Sequence, residues 1–325
     1  MAVMTETVDG KAHAVALSKA RNAVIQDRFF LWLTLGSAAL VVVLLLGVIV
    51  SLLIGAWPAL SNFGPSFLWT QRWSPVKEIF GALAPIYGTI ITSLIAMIIG
   101  IPVSFGIAIF LTELCPQALR RPIGIAIELL AGIPSIIYGL WGFFFLAPFL
   151  QTTIQPWLIG SVGKLPVIGL LFGGAPYGIG LLTAGIILAI MVLPFITSIT
   201  RDVFETTPTL LRESAYGMGM TTWEVVRSII IPYCRVGLVG GVMLGLGRAL
   251  GETMAVTFVI GNSHNISASL LAPATTISAT IANEFSEATG EMYTSSLIAL
   301  GLILFVITFG VLALAKWLLA RTAVK

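Results

Sequence analysis

The sequence predicts an all-α, polytopic membrane protein with six transmembrane helices and both termini in the cytoplasm. Three observations predict it. Of 325 residues, 58% are hydrophobic and only 10% charged, against about 25% charged in soluble domains, so the chain cannot cover a water-facing surface. Six apolar runs each reach the roughly 20 residues needed to cross a hydrocarbon core of about 30 Å. The Lys and Arg residues fall almost entirely between alternate pairs of those runs.

Residues 1–28 read as a polar cytoplasmic tail with Lys11, Lys19, Arg21 and Arg28, and residues 29–325 as the transmembrane domain. The spans lie at about 29–57, 87–111, 123–150, 177–200, 236–261 and 293–319. The first run is too long for a signal peptide and reads as a retained span. Basic residues set orientation. With the N-terminus inside, thirteen fall in the cytoplasm: the four of the tail, Arg120, Arg121, Arg201, Arg212, Arg227, Arg235, Lys316, Arg321 and Lys325. Arg72, Lys77 and Lys164 fall outside, and Arg248 falls within a span. Cys115 and Cys234 then lie at a reducing edge and form no disulfide framework. His13 and His264 have no companions at metal-ligand spacing, so no metal site is expected.

The first outer loop carries Phe63, Phe67, Trp69 and Trp73, an aromatic set that suits the interface. The last, 262–292, has three glutamates and no basic residue, and its TTISATIANEF reads as a short helix resting on the outer surface. The loop 151–176 is apolar enough either to stay outside or to enter the membrane. Pro102, Pro134 and Pro194 fall inside spans two, three and four, where each removes a helix hydrogen bond. Such breaks survive where backbone is buried in protein or lines a wet cavity. Together they predict helices bent around a pathway.

Residues 201–235 hold the densest local signals. Thr207 predicts an N-cap, with Pro208 in the first helical position. Leu211, Ala215 and Met218 recur at i, i+4, i+7 and form one apolar face. Gly217 and Gly219 permit a left-handed stop. Thr221 and Glu224 spell a capping box that opens a second helix, which Pro232 ends. A helical hairpin of this kind suits docking to a soluble partner.

Glu213-Ser214-Ala215, three residues, Gly219, nine residues, Ile229, one residue, then Ile231-Pro232 resembles the E-A-A-x3-G-x9-I-x-L-P loop of ABC importer permeases. Ser214 stands for alanine and Ile231 for leucine. In that family the loop supplies a coupling helix that sits in a cleft of the ATPase subunit. The resemblance therefore implies coupling roles for Glu213, Ser214, Ala215, Gly219, Ile229 and Pro232. ELLAGIPSIIYGLWGF (128–143), GRALGETMAVTFVIGN (247–262) and FGALAPIYGTIITSL (80–94) resemble the phosphate-specific transport permeases, closer to their C-type than to their A-type subunit. The likeness covers about residue 29 onward.

No Walker A pattern G-x-x-x-x-G-K-[ST] is present: near Gly163-Lys164, Leu158 and Leu165 stand where Gly and Ser/Thr are needed. ATP is therefore expected on another chain, with no cofactor here. No nucleophile elbow or H-E-x-x-H occurs either.

The stretch LGLGRALGETMA (244–255) places Arg248 and Glu252 near the middle of span five, where one charge costs roughly 2.5–3.5 kcal/mol. Gly237, Gly241 and Gly245 form a small-residue stripe. On a continuous helix Arg248 lies about 20° from Gly241, and Glu252 about 20° from Gly245, so stripe and charges share a face that cannot meet lipid. Two readings stand: an i, i+4 ion pair locking helices together, or an anion pathway in which Arg248 meets phosphate oxygens and Glu252 holds or releases it. The resemblance implies the second. Glu128, near the inner end of span three, is placed to snorkel or to pair with Arg121, with a role in transport as the lesser reading.

The resemblance implies a non-enzymatic permease subunit of an importer for inorganic phosphate in a bacterial inner membrane. The partners implied are a homologous second permease, a cytoplasmic ATPase dimer, an extracytoplasmic phosphate-binding protein and membrane lipid, with no nucleic acid. The alternatives are another oxyanion, molybdate or sulfate, or a membrane-embedded enzyme using Glu252 or Glu128. The topology has a direct test. Single cysteines replacing Thr222 and Ser286, in a chain lacking Cys115 and Cys234, should react with an impermeant thiol reagent from opposite faces; labelling of both from outside intact cells refutes the orientation.

Overall fold

The computed structural model describes the backbone of residues 2–166 and 168–323, and side chains between 26 and 317 except 167 and 168. Two compact units divide the chain at Ile54. Helix α1 (Ala2–Phe63) runs through the expected tail boundary at 28 without interruption. In the first unit its apolar side chains, including Phe29, Trp32 and Leu44, are exposed, as a lipid-facing or partner-facing helix requires.

The second unit begins with α2 (Ser66–Trp69) and an isolated bridge between Ser74 and Ile79. Next come α3 (Leu83–Ile109), ending in a π-turn at Phe110–Leu114, and the amphipathic α4 (Gln117–Ala131). After a break, α5 (Ser135–Trp141) runs on through π-turns and α6 (Ala147–Phe149) into α7 (Gln155–Ser161). Helix α8 (Leu181–Glu205) leads to α9 (Thr209–Gly217), α10 (Thr222–Val225) and α11 (Ile231–Gly251). A second break precedes α12 (Met254–Val259); α13 (Ile277–Glu284) and α14 (Glu291–Ala323) complete the chain. Among the described residues, six stretches are long and apolar enough to cross a membrane: Gln26–Phe63, Leu83–Leu114, Ser135–Lys164, Leu181–Glu205, Thr222–Gly251 and Glu291–Trp317.

Helix α8 is the pillar, with 61% of its most apolar window buried, against 33% or less for the other five. Small residues explain how closely its neighbours approach. A Cβ at Gly237 would stand 2.8 Å from Val203 Cγ1, at Gly241 2.8 Å from Ile199 Cγ2, and at Gly245 2.7 Å from Ile196 Cδ1. The glycine stripe read from the sequence therefore faces α8. Nearer the start of α8, Gly185 receives Ile95 of α3, whose Cγ2 lies 2.5 Å from the ideal Cβ site. Ser104 of α3 donates to the Leu193 carbonyl at 3.1 Å, tying the two helices beside Pro194.

Several expected boundaries move, each for a local reason. Span three does not run unbroken through 123–150: Pro134 caps α5 with ψ 138°, since proline disfavours helix at and before itself. The spanning stretch instead reaches Lys164, so half of the loop 151–176 is helical extension. In span five, Glu252 leaves the helical region at φ −70°, ψ 129°, and the helix extends inward to Thr222 because Pro232 does not end it. A π-turn at Val226–Ile230 directly precedes Ile231 and Pro232, where the missing proline N–H is tolerated early in a helix. Thr207 is no cap: Pro208 takes that place without a side-chain bond, and Thr207 is buried with Oγ1 3.2 Å from Cys234 Sγ. The Thr221–Glu224 capping box forms as read, Glu224 Oε2 accepting from Thr221 N at 2.7 Å.

Helix α13 forms, capped by Thr276, which accepts from Ala279 N at 3.2 Å. It does not rest on the surface: Ile277 and Ala279 are fully buried, and Thr89 of α3 accepts from Ile277 N at 2.9 Å. Gly88 makes this possible, because a Cβ there would lie 1.9 Å from the Thr275 carbonyl oxygen. Gly88→Ala should therefore destabilise the detergent-solubilised protein by at least the roughly 1–3 kcal/mol of an overpacked core. Gly106→Ala, in the same helix with nothing within 4 Å, should be neutral or stabilise by up to about 1 kcal/mol. Comparative thermal melts decide it; equal melts would refute the close crossing.

Candidate functional site

The two helix breaks lie beside one another. Helix α5 packs on α12: a Cβ at Gly139 would meet Phe258 Cδ2 at 2.8 Å and Ala255 Cα at 3.0 Å. Just before these contacts the chain is non-helical, around 132–134 in one strand of the pair and at Glu252 in the other. Tyr138 spans the first break, its hydroxyl donating to the Leu130 carbonyl at 2.9 Å.

Arg248 occupies the last turn of α11, exposed, and Glu252 is the half-buried residue that ends it. Because Glu252 is extended, the i, i+4 relation is broken, and among the described residues no ion pair joins the two. The charges also leave the glycine seam: Gly245 is buried against Ile196 and Val192, whereas Arg248, one turn on, is open. Arg248 is close enough to Tyr138 to act electrostatically on its hydroxyl. A guanidinium and a carboxylate thus flank the break that ends α11, and a phenol spans the break before α5. Interrupted backbone at membrane depth is tolerated only where it is buried or lines water.

At the end of α8 the helical hairpin projects. Ala215 is fully buried beside Ala108 and Phe204, while Glu213 and Ser214 are exposed, Ser214 donating to the Leu210 carbonyl at 2.7 Å. Gly219 turns the chain with φ +83°, the left-handed conformation that glycine adopts without strain. Ile229 sits half-buried in the π-turn, and Pro232 is exposed in the first turn of α11. The expected single apolar face is divided: Ala215 points inward, whereas Leu210, Met218 and Trp223 are 71%, 75% and 61% exposed. Such side chains beside a polar helix mark an interaction surface.

Three charged contacts escaped sequence reading because their partners are far apart in the chain. Glu128 pairs with Arg201, not Arg121, at 2.8 Å; Gly124 leaves the guanidinium its space. Arg212 pairs with Glu113 at 2.8 Å. Near the opposite end of α8, Trp73 stacks on His264, rings 5.3 Å apart and 4° from parallel, and donates its indole N–H to Glu284. Tyr293 also donates to Glu284 at 2.8 Å. Burial pushes His264 down to about 4 and lifts Glu284 above the usual carboxylate value, against the pull of its two donors. Only the aromatic richness of the first outer loop hinted at this cluster.

An exposed guanidinium at a helix break, with a helical hairpin at one end of a bundle of apolar spans, fits a membrane transport component. The family described as binding-protein-dependent transport system inner membrane component matches residues 100–324, and this chain belongs to it. It is a multi-pass inner-membrane protein, of a class that works with a partner ATPase and a binding protein. Its relatives sharpen the picture. A phosphate transport system permease protein of Mesorhizobium japonicum is 67% identical over 301 residues, covering 93% of this chain and 92% of that protein. One from Xylella fastidiosa is 54% identical over 322 residues and 99% of both. A bacterial alginate ABC transporter shares the fold, with a TM-score of 0.57 at 16% identity over 90% of this chain and 97% of that chain.

The buried His264 yields a pH signature. The folded chain holds its imidazole neutral down to about 4, whereas the unfolded chain protonates it near about 6.5. Its contribution is complete above that value and is lost as pH falls toward 4. Glu284 acts with the opposite sign and remains in a His264→Phe variant, which retains a ring to stack on Trp73. The variant should lose less melting temperature than the parent between about pH 7 and about pH 5; parallel losses would refute the buried neutral imidazole.

Proposed function

We propose that this chain is the permease subunit of an ATP-driven importer of inorganic phosphate, with Arg248 and Glu252 on the anion's path. The observation that carries the reading is Arg248: a guanidinium in the last turn of α11, within a spanning stretch and exposed on the surface of this subunit. Facing lipid would cost roughly 2.5–3.5 kcal/mol or more, so it faces a second, homologous permease and the water-filled passage between them. Arginine presents several planar donors that match phosphate oxygens, a geometry an ammonium lacks. The names of the close relatives support phosphate as the cargo. Glu252, freed from the helix by its extended backbone, competes for the same guanidinium and so assists release.

The chain carries no nucleotide motif and binds no cofactor in this reading. ATP is bound by a cytoplasmic ATPase dimer that grips the hairpin through Leu210, Met218 and Trp223, with Glu213, Ser214, Ala215, Gly219, Ile229 and Pro232 shaping the loop. An extracytoplasmic phosphate-binding protein delivers the anion to the opposite face.

Phosphate uptake into vesicles containing the whole complex tests this. Arg248→Ala should assemble and lose roughly 100-fold or more in uptake, since hydrogen bonds to charged groups contribute about 1.5–3 kcal/mol each. Arg248→Lys should fall about tenfold. Exchanging the pair, Arg248→Glu with Glu252→Arg, moves the cation out of its turn and should abolish uptake. Gly219→Pro and Glu213→Lys should leave the ATPase deaf to the loaded binding protein. Near-normal uptake by Arg248→Ala or by the exchange would refute the pathway role, and molybdate or sulfate competing better than phosphate would refute the cargo.

A further inference from the structure

The most buried charge pair among the described residues is remote from the anion's path. Glu113 and Arg212 have side chains only 5% and 18% exposed, and their Oε1 and Nη1 lie 2.8 Å apart. Three elements meet there. Arg212 belongs to α9, the docking helix; Glu113 belongs to the π-turn Phe110–Leu114 that ends the second span. The other terminal nitrogen of Arg212 donates to the Phe204 carbonyl in the last turn of α8. Next to Glu113, the Thr112 carbonyl accepts from Arg120 of α4.

We infer that this ion pair is the strut through which the docking helix moves spans two and four, making Glu113 and Arg212 positioning residues for coupling. The inference rests on the docking role proposed for α9. On that helix only Ala215 is buried, against Ala108 and Phe204. An apolar methyl contact is non-directional and allows α9 to slide or roll. A planar guanidinium donating to a carboxylate on one side and a carbonyl on the other fixes the angle of α9 as well as its position. The covalent link from α8 is a short turn through Thr206, Thr207 and Pro208, and nothing covalent joins α9 to α3. A push on the exposed Leu210 or Met218 therefore reaches span two through Arg212. Half-breaking a buried pair leaves an uncompensated charge, so the contact holds as a unit or fails as a unit, as a transmitting strut must.

The test uses the complete transporter in proteoliposomes, reading ATP hydrolysis with and without phosphate-loaded binding protein, together with uptake. A cysteine replacing Leu210 reports docking by its crosslink to the ATPase subunit. Glu113→Leu with Arg212→Met replaces the pair by apolar bulk, a change that buried ion pairs often tolerate in stability. This double variant should assemble and crosslink, keep its basal ATPase rate, and lose stimulation and uptake by about fivefold or more, the scale of a modest coupling energy. Arg212→Lys retains the charge without the fork and should be intermediate. Full stimulation in either variant overturns the strut. Absence of the Leu210 crosslink in the parent itself overturns the docking reading beneath it.

Discussion

Everything in this subunit leans on the close approach of backbones along α8. Lipid supplies no hydrophobic force to press helices together, so association depends on small residues that allow dense contact. Gly237, Gly241 and Gly245 accept Val203, Ile199 and Ile196 along the later half of α8, and Gly185 in its first half accepts Ile95 of α3. The fourth span is thereby clamped between the second and the fifth. With that clamp in place, the chain can break other helices without losing its shape. The breaks at 132–134 and at Glu252 adjoin the ends of the third and fifth spanning stretches and leave α8 itself continuous.

Rigid pillar and interrupted neighbours divide the work. The seam positions the beginning of α11, and the charged end departs from it one turn after Gly245. A buried salt bridge locking helices would satisfy both charges within the subunit. Here Arg248 and Glu252 are separated by a change of backbone conformation instead, and the guanidinium is left on the outside of a membrane helix. Such an exposed charge is expensive unless a partner subunit or water receives it. The hairpin follows the same logic in water: Leu210, Met218 and Trp223 are exposed at a cost that a docked partner removes.

Much of this was legible from local chemistry. The spans follow from length and hydropathy, the capping box at Thr221 and Glu224 from two residues three apart, and the turn at Gly219 from glycine's tolerance of positive φ. The glycine stripe of span five was legible too, because its period matches the helix. Misreadings came where two local rules competed. Thr207 is a good cap by type, yet tertiary packing against Cys234 took its hydroxyl. Pro232 looked like a helix stop, yet proline is equally at home in a first turn, and the π-turn before it decided between the two.

By itself, then, the sequence determined the solvent: a chain with 10% charge must live in a bilayer and cross it about six times. It also determined which residues are anomalous, since Arg248 and Glu252 stand out against any apolar span. Tertiary structure alone decided what each anomaly touches. Glu128 finds Arg201, Glu113 finds Arg212, and Trp73 finds Glu284, across separations of 73, 99 and 211 residues. Helical periodicity carries information over a few turns only, because it expresses the geometry of one element. Which charge meets which across a bundle depends on how elements cross, and that is settled by the shape of the glycine seam.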